Sequence, residues 1–139
     1  MTSMHSRASF SRGANAYANV SVESGVMSAD PHQLITMLFD GIEVVLRNAR
    51  VHMQQGNVVE KGRAISKAID LVNQGLLAAL DREKGGEVAQ NLASLYEYIG
   101  NLLLRANLRN SVSALEEAET LLQQISSAWR DIAVRAEAS

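Results

Sequence analysis

The sequence contains no cysteine, one proline and few aromatic residues, and each shortage narrows what the protein can be. Without cysteine the chain has no disulfides, no thiolate metal site and no cysteine nucleophile, which fits a reducing compartment such as the cytoplasm. A single proline leaves long stretches free to be helical, and abundant Ala, Leu, Glu, Gln and Arg favour helices. The 139 residues are enough for one domain with a sizeable core.

An excess of charge of one sign and long apolar runs are also missing. The formal net charge is −2, and no basic stripe is available to neutralise phosphates, so nucleic acid is not an expected partner. No apolar run approaches the roughly 20 residues that span a bilayer, so direct membrane insertion is not expected. Residues 1–13 show neither helical periodicity nor a secretory signal. We therefore predict a disordered tail there and a cytoplasmic protein.

Capping signals mark where the helices begin. Residues 14–27 form a short segment that has room for one or two helical turns. A first long helix is predicted over Pro31–Gln55, because Asp30 is a good N-cap and Gly56 suits the left-handed residue after a helix.

Three further long helices follow. The second is predicted to begin after Asn57, which forms an approximate capping box with Glu60, and to end before a turn at Gly85 and Gly86. The third is predicted over about residues 87–108. The fourth is predicted to begin at residue 110 or 111 and to run to about residue 135.

Each predicted helix has an apolar stripe at helical spacing. The stripes are Leu34, Leu38, Ile42, Val45 and Ala49; Ile65, Ile69, Val72, Leu76 and Leu80; Leu92, Leu95, Tyr96, Ile99, Leu103 and Ala106; and Leu115, Ala118, Leu122, Ile125, Trp129 and Ile132. Short connections make neighbouring helices antiparallel. The predicted fold is all-α: an antiparallel up-down four-helix bundle over residues 28–136, preceded by the short helical segment and the disordered tail.

Residues with catalytic or metal-binding chemistry are scarce. A di-metal site in a bundle needs Glu-x-x-His on two helices, and none of the histidines (His5, His32 and His52) has a glutamate three residues before it. His32 and His52 lie at opposite ends of one helix, so they cannot share a metal ion. No glycine-rich phosphate loop follows a strand. The sequence therefore indicates no metal, no cofactor and no enzymatic activity.

Three helices carry a second apolar stripe, away from the core, that a bundle does not need. It comprises Met37, Gly41, Val44 and Val51 on the first helix; Ala64, Leu71, Gly75 and Ala78 on the second; and Ala93, Gly100, Leu104 and Leu108 on the third. The outer face of the fourth helix is polar.

A contiguous apolar patch usually binds a partner. Glycine inside a helix costs roughly 1 kcal/mol relative to alanine, so Gly41, Gly75 and Gly100 suggest that a partner helix lies close to the backbone. Two other interpretations stay open: the residues broaden the core contacts, or they seal a homodimer. Residues 14–27 are a candidate cover over part of the patch.

Six stretches of the chain together form a recognisable pattern: AYANVSVES (Ala16–Ser24), SADPHQLITMLFDG (Ser28–Gly41), QGNVVEKGRAISKAIDLVNQGLLAAL (Gln55–Leu80), DREKGGEVAQNLASLYEYI (Asp81–Ile99), LLRANLRN (Leu103–Asn110) and ALEEAETLLQQISSAW (Ala114–Trp129). These stretches resemble the flagellin chaperone family FliS. The resemblance runs in order from about residue 16 to residue 132.

The resemblance implies a flagellar type III export chaperone of the bacterial cytosol. Such a chaperone binds the C-terminal segment of flagellin, prevents premature polymerisation, and assists delivery to the cytoplasmic domain of the membrane export gate. The family's N-terminal tyrosine corresponds to Tyr17, followed by Val20, in a segment that lies over part of the client groove in related chaperones and contributes to gate docking. Ala14 stands where enteric relatives carry a larger aliphatic residue. We expect Ala14, Tyr17 and Val20 to form this cover and gate contact.

Two functions of other classes also fit the sequence. One is a self-assembling helical bundle whose second stripes form a homodimer. The other is a regulator that sequesters a different flagellar protein, such as an anti-sigma factor. Light scattering distinguishes the first from a monomeric chaperone, and a pull-down distinguishes the second from a flagellin chaperone.

Overall fold

The computed structural model of the protein describes residues 30–138, which form four helices and no strand. Helix α1 is Pro31–Gln55; α2 is Val58–Asp70 and continues as a π-helical segment, Leu71–Leu77; α3 is Arg82–Arg109; and α4 is Val112–Ala138. Connections of two to four residues make consecutive helices antiparallel. Each helix packs against two neighbours, in the cyclic order α1, α2, α3, α4. The predicted four-helix bundle is confirmed, whereas the tail at 1–13 and the segment at 14–27 lie outside the described residues.

Three of the predicted helix ends are confirmed. The Asp30 side chain accepts a hydrogen bond from the backbone N–H of His32 at 2.7 Å and caps α1. Gly56 follows α1 with a φ of 75°, the left-handed conformation that glycine adopts most easily. Ser111 caps α4, because its Oγ accepts a hydrogen bond from the N–H of Ala114 at 3.2 Å.

The predicted capping box at the start of α2 is wrong. Asn57 is the N-cap residue, but its side chain makes no capping hydrogen bond. Its Nδ2 instead donates to Gln55 Oε1 at 3.2 Å and lies 3.2 Å from His52 Nδ1. The two-residue connection turns this side chain back toward the end of α1, so it cannot reach the N–H groups of α2.

The predicted turn at Gly85 and Gly86 is also wrong. The chain reverses earlier, at residues 78–81, and α3 begins at Arg82 because Asp81 Oδ1 accepts hydrogen bonds from the N–H groups of Glu83 and Lys84. Gly86, with a φ of 53°, then kinks α3 after its first turn. An N-cap aspartate thus starts the helix four residues before the glycine pair.

The core lies between all four helices, and most predicted core positions are buried or pack against it. On α1, however, the buried residues Ile35, Phe39 and Leu46 lie one position beyond the predicted Leu34, Leu38 and Val45, which are half-buried. The reason is that α1 packs against α4 as well as α2, so its buried arc is centred between these two neighbours. The half-buried residues remain on the side of α2.

Polar contacts close the seam between α1 and α4. The Trp129 indole stacks on the His32 ring, with centroids 4.2 Å apart, and its Nε1 donates to the His32 carbonyl at 3.2 Å. His32 Nε2 lies 2.8 Å from the Trp129 carbonyl. Arg50 pairs with Glu119 at 2.5 Å, and Arg130 pairs with Asp40. These polar contacts fill the side of the bundle between α1 and α4, which lies opposite the side between α2 and α3.

Candidate functional site

An exposed apolar row runs along α1. Met37, Val44 and Val51 are seven residues apart and therefore share one face of the helix. Their exposed fractions are 59%, 50% and 46%. Gly41 lies between Met37 and Val44, and a Cβ built on it would have no atom within 4 Å, so the surface is open at this point. The predicted stripe on α1 is thus accessible to a partner over about four helical turns.

The predicted residues on α2 lie on the side of that helix that packs against α1. A Cβ at Gly75 would lie 2.9 Å from Cδ2 of Leu38, so Leu38 of α1 occupies the space that a side chain would need. Ala64, Leu71 and Gly75 are half-buried, and Ala78 is exposed. We call this the α1–α2 surface: Met37, Gly41, Val44, Val51, Ala64, Leu71, Gly75 and Ala78.

Gly75 lies within the π-helical segment Leu71–Leu77. The N–H of Ala78 donates to the carbonyl of Asn73, five residues earlier, at 3.1 Å. Such wide turns are rare in proteins, and those that do occur are often found at functional sites. The segment keeps Val72 and Leu76 in the core while changing the spacing of the residues that face α1.

The predicted residues on α3 lie on the other side of α2. A Cβ at Gly100 would be 3.8 Å from Oδ1 of Asn73 on α2. Leu104 and Leu108 follow Gly100 at intervals of four and share its side of the helix. Both leucines are exposed. Ala93, also predicted on this stripe, is buried, so that assignment was wrong; helical spacing alone did not distinguish this small residue from a core residue.

The structure therefore divides the predicted groove into two surfaces. Lys67, Asp70 and Gln74, all exposed, form a polar ridge along the outer face of α2 between the α1–α2 surface and the side of α2 that faces α3. A single partner helix cannot lie on both surfaces without crossing this ridge.

Four exposed large apolar residues were missed by the sequence analysis: Val58, Val59, Tyr98 and Val112. The three valines lie in the first turns of α2 and α4, outside any long stripe. The available signal was the pair of adjacent valines directly after an N-cap residue, where first-turn side chains are commonly polar or acidic.

The described residues offer little catalytic chemistry. No group of three or more His, Asp or Glu side chains within residues 30–138 is arranged to hold a metal ion. A cleft of about 20 Å³ between α1 and α4, lined by Phe39, Leu46 and Leu122 among others, has room for one or two water molecules only. The Tyr98 hydroxyl donates to the Glu117 carboxylate, which raises the pKa of Tyr98, but this exposed pair lies on the α3–α4 side. Across residues 30–138, no helix combines the length and the hydropathy of a membrane-spanning segment.

Comparison with known proteins identifies the family. The family model described as "Flagellar protein FliS" matches residues 13–136. The chain belongs to the FliS family. It is 57% identical over 124 residues to the flagellar secretion chaperone FliS of Salmonella typhimurium strain LT2, covering 89% of this chain and 92% of that protein. It is 49% identical over 120 residues to the FliS chaperone of Escherichia coli strain K12, covering 86% and 88% of the two chains.

A third relative is the flagellar secretion chaperone FliSB of Pseudomonas aeruginosa strain PAO1, which is 44% identical over 116 residues, or 84% of this chain and 91% of that protein. The FliS family is a chaperone family and not an enzyme family. The protein is therefore a flagellar export chaperone, and it has a client protein as its partner. The resemblance described from the sequence is confirmed.

Proposed function

We propose that the protein binds the C-terminal segment of flagellin on the α1–α2 surface, in a one-to-one complex in the cytosol. Binding prevents the segment from polymerising early, and the complex then delivers the client to the cytoplasmic domain of the export gate. The observation that carries the proposal is the exposed row of Met37, Val44 and Val51 beside the open position at Gly41.

The physical role of the surface follows from its chemistry. An unassembled amphipathic segment has an apolar face that needs a partner, and ordering the segment costs several kcal/mol of the gross interaction. Burial of apolar area contributes about 25 cal/mol per Å² and can offset that cost. The row on α1 is long enough for a client helix of several turns. No nucleotide is needed for such binding.

The proposal also assigns a role to residues 14–27. We infer that Ala14, Tyr17 and Val20 form a displaceable cover over the surface and contact the gate when the client has displaced them. Only residues 28–30 separate this segment from Pro31, so it is tethered to the helix that carries Met37 and Val44.

The test is calorimetric titration of a flagellin C-terminal peptide into the protein and into Val44→Asp. The native chain should bind with a negative ΔCp, as expected for apolar burial. Val44→Asp should weaken binding tenfold or more and keep its helical circular dichroism, because Val44 is half exposed. Ile42→Asp is the matched control: Ile42 is fully buried, so this variant should unfold.

Two results would contradict the proposal. One is no detectable heat at tens of micromolar, which corresponds to about −6 kcal/mol. The other is a Val44→Asp variant that binds as the native chain does, which would place the client on another surface.

A further inference from the structure

We infer that Asn48 sets the register in which the client lies along α1, and that the client segment is a helix with an asparagine, glutamine, serine or threonine side chain on its apolar face. This role rests on the proposed function, because it applies to a client on the α1–α2 surface. Asn48 adds a polar contact, which determines specificity, to a row of apolar side chains.

The exposed face of α1 has the spacing of a coiled-coil partner. Met37, Val44 and Val51 are seven residues apart. A second set, Gly41, Asn48 and Gln55, follows them at intervals of four residues. Intervals of four and three residues therefore alternate along the face, which is the heptad pattern with which one helix packs along another. We call these six residues the heptad face.

Asn48 lies at the centre of the heptad face, and its amide has no partner within the described chain. The side chain is exposed and makes no hydrogen bond or ion pair with another described residue. The other amide of the heptad face is engaged, because Gln55 Oε1 accepts a hydrogen bond from Asn57 Nδ2 at 3.2 Å. Gly41 has no side chain. Asn48 is therefore the polar group of this face that is available to a partner.

Helix stability does not explain an asparagine at this position. Asparagine is a weaker helix former than Gln, Glu, Lys or Arg. It is favoured at caps and turns, where its side chain bonds to the backbone. Asn48 makes no such bond among the described residues, and it lies about two turns inside the end of the 25-residue helix α1. A contact with a partner gives this residue a role that the helix itself does not.

The charged residues that border the heptad face on the side of α4 are already paired. Asp40 pairs with Arg130 across to α4, and Arg47 pairs with Glu43 at 3.5 Å within α1. With these charges engaged, the amide of Asn48 is the group that can distinguish one position of the client from another.

The effect of covering Asn48 depends on what faces it. A helix that lies along the heptad face covers the central position, and an amide buried without a partner loses the hydrogen bonds that it made to water. A polar side chain of the client can replace those bonds, in the way that a single buried asparagine fixes the register of a coiled coil.

A shift of the client by one heptad removes this match. It places an apolar client side chain over Asn48 and the polar client side chain over Gly41 or Gln55. In the matched register, the open space at Gly41 receives an apolar client side chain instead. One register therefore satisfies the polar groups of both helices.

The experiment is a double-mutant cycle on the full chain. Two designed helical peptides of three heptads, about 21 residues each, have the same leucine face and differ only at its central position, which is asparagine in one and valine in the other. Each peptide is titrated calorimetrically into the native protein and into Asn48→Val. The native protein should bind the asparagine peptide about tenfold more tightly than the valine peptide, and Asn48→Val should reverse the preference, because each mismatched pair buries one unpaired amide.

Asn91→Val is the matched control, because Asn91 is an exposed asparagine on α3. This variant should keep the preference of the native protein. Asn48 and Asn91 are both exposed, so the helical circular dichroism of both variants should stay native. A flagellin C-terminal peptide should displace the asparagine peptide from the native protein, since both occupy the heptad face.

Failure of this role and failure of the proposed function give different results. Equal affinity of the native protein for the two peptides, the same preference in Asn48→Val, or no binding of either peptide overturns the role of Asn48. The proposed function survives each of these results if the flagellin peptide binds the native protein and Val44→Asp weakens that binding. A flagellin peptide that binds without displacing the asparagine peptide overturns both, because the client then lies elsewhere.

Discussion

Two glycines on the α1–α2 surface have opposite surroundings. At Gly75 the missing side chain is explained by packing within the chain, because Leu38 fills the space. At Gly41 nothing within the described chain fills the space. Glycine in a helix interior costs about 0.5–1 kcal/mol relative to alanine, so an open helical glycine at this position suggests that a partner needs the room.

Gly41→Ala should therefore stabilise the free protein by about 0.5–1 kcal/mol and at the same time weaken client binding about fivefold, since about 1 kcal/mol of overpacking is expected at a close contact. Thermal melts and calorimetric titrations measure the two effects. Gly75→Ala is the control and should gain less stability than Gly41→Ala, because its Cβ would displace the Leu38 side chain. A Gly41→Ala variant that binds the client normally would exclude a close backbone approach there.

Lys61 is a buried cation without a carboxylate partner among the described residues. Its two acceptors belong to the C-terminal end of α3, where a positive charge is favourable. Lys61→Met keeps the apolar stem but leaves these acceptors unpaired, so we predict a loss of about 1–3 kcal/mol in the free energy of unfolding. Urea denaturation is the measurement, with the exposed Lys67→Met expected to stay within about 0.5 kcal/mol. A small effect at Lys61 would mean that water replaces the ammonium group.

At the scale of helices, the sequence predicted four elements correctly because their caps and apolar periodicity agree. The sequence analysis placed the start of α3 wrongly because two short-range signals compete there. Gly85 and Gly86 are a typical turn pair, but Asp81 starts α3 before them and Gly86 absorbs the kink. The π-helical segment has no signature in the hydrophobic pattern, because Val72 and Leu76, both buried within it, keep the four-residue spacing of an α-helix.

The exposure of the apolar row on α1 was predicted from the sequence, but its position relative to the other predicted residues was not. The spacing of Met37, Val44 and Val51 was enough to place them on one exposed face. Spacing within a helix contains no information about which neighbour that face meets. The separation of Leu104 and Leu108 from the α1 row depends on the packing of α2 between α1 and α3, which only the structure supplies.

The segment at residues 14–27 is an element whose removal should be informative. If it covers the α1–α2 surface with a closing free energy of about 1–2 kcal/mol, a chain that begins at Ser28 should bind the flagellin peptide about 5- to 30-fold more tightly. Tyr17→Ala should act in the same direction, and both changes should impair export in motility assays if the segment contacts the gate. Unchanged or weaker peptide binding would mean that the segment does not compete with the client.

For the whole molecule, polar contacts fill the side between α1 and α4, whereas exposed apolar residues lie on α1 and α3, on either side of α2. We predict that the free protein is a monomer and that one flagellin peptide binds per chain. Light scattering coupled to size exclusion measures both masses. A stable dimer that dissociates when peptide is added would show that the α1–α2 surface is sealed by a second copy instead.

The stacking of Trp129 on His32 provides an intrinsic fluorescence probe of one part of the bundle. Trp129 is the chain's only tryptophan, so all indole emission originates at one junction, between the first turn of α1 and the distal part of α4. That junction lies on the α1–α4 side of the bundle, at the start of α1 and away from Val44 and Val51. Emission from the unlabelled protein therefore reports whether α1 and α4 stay packed together at this end of the bundle when a partner is added.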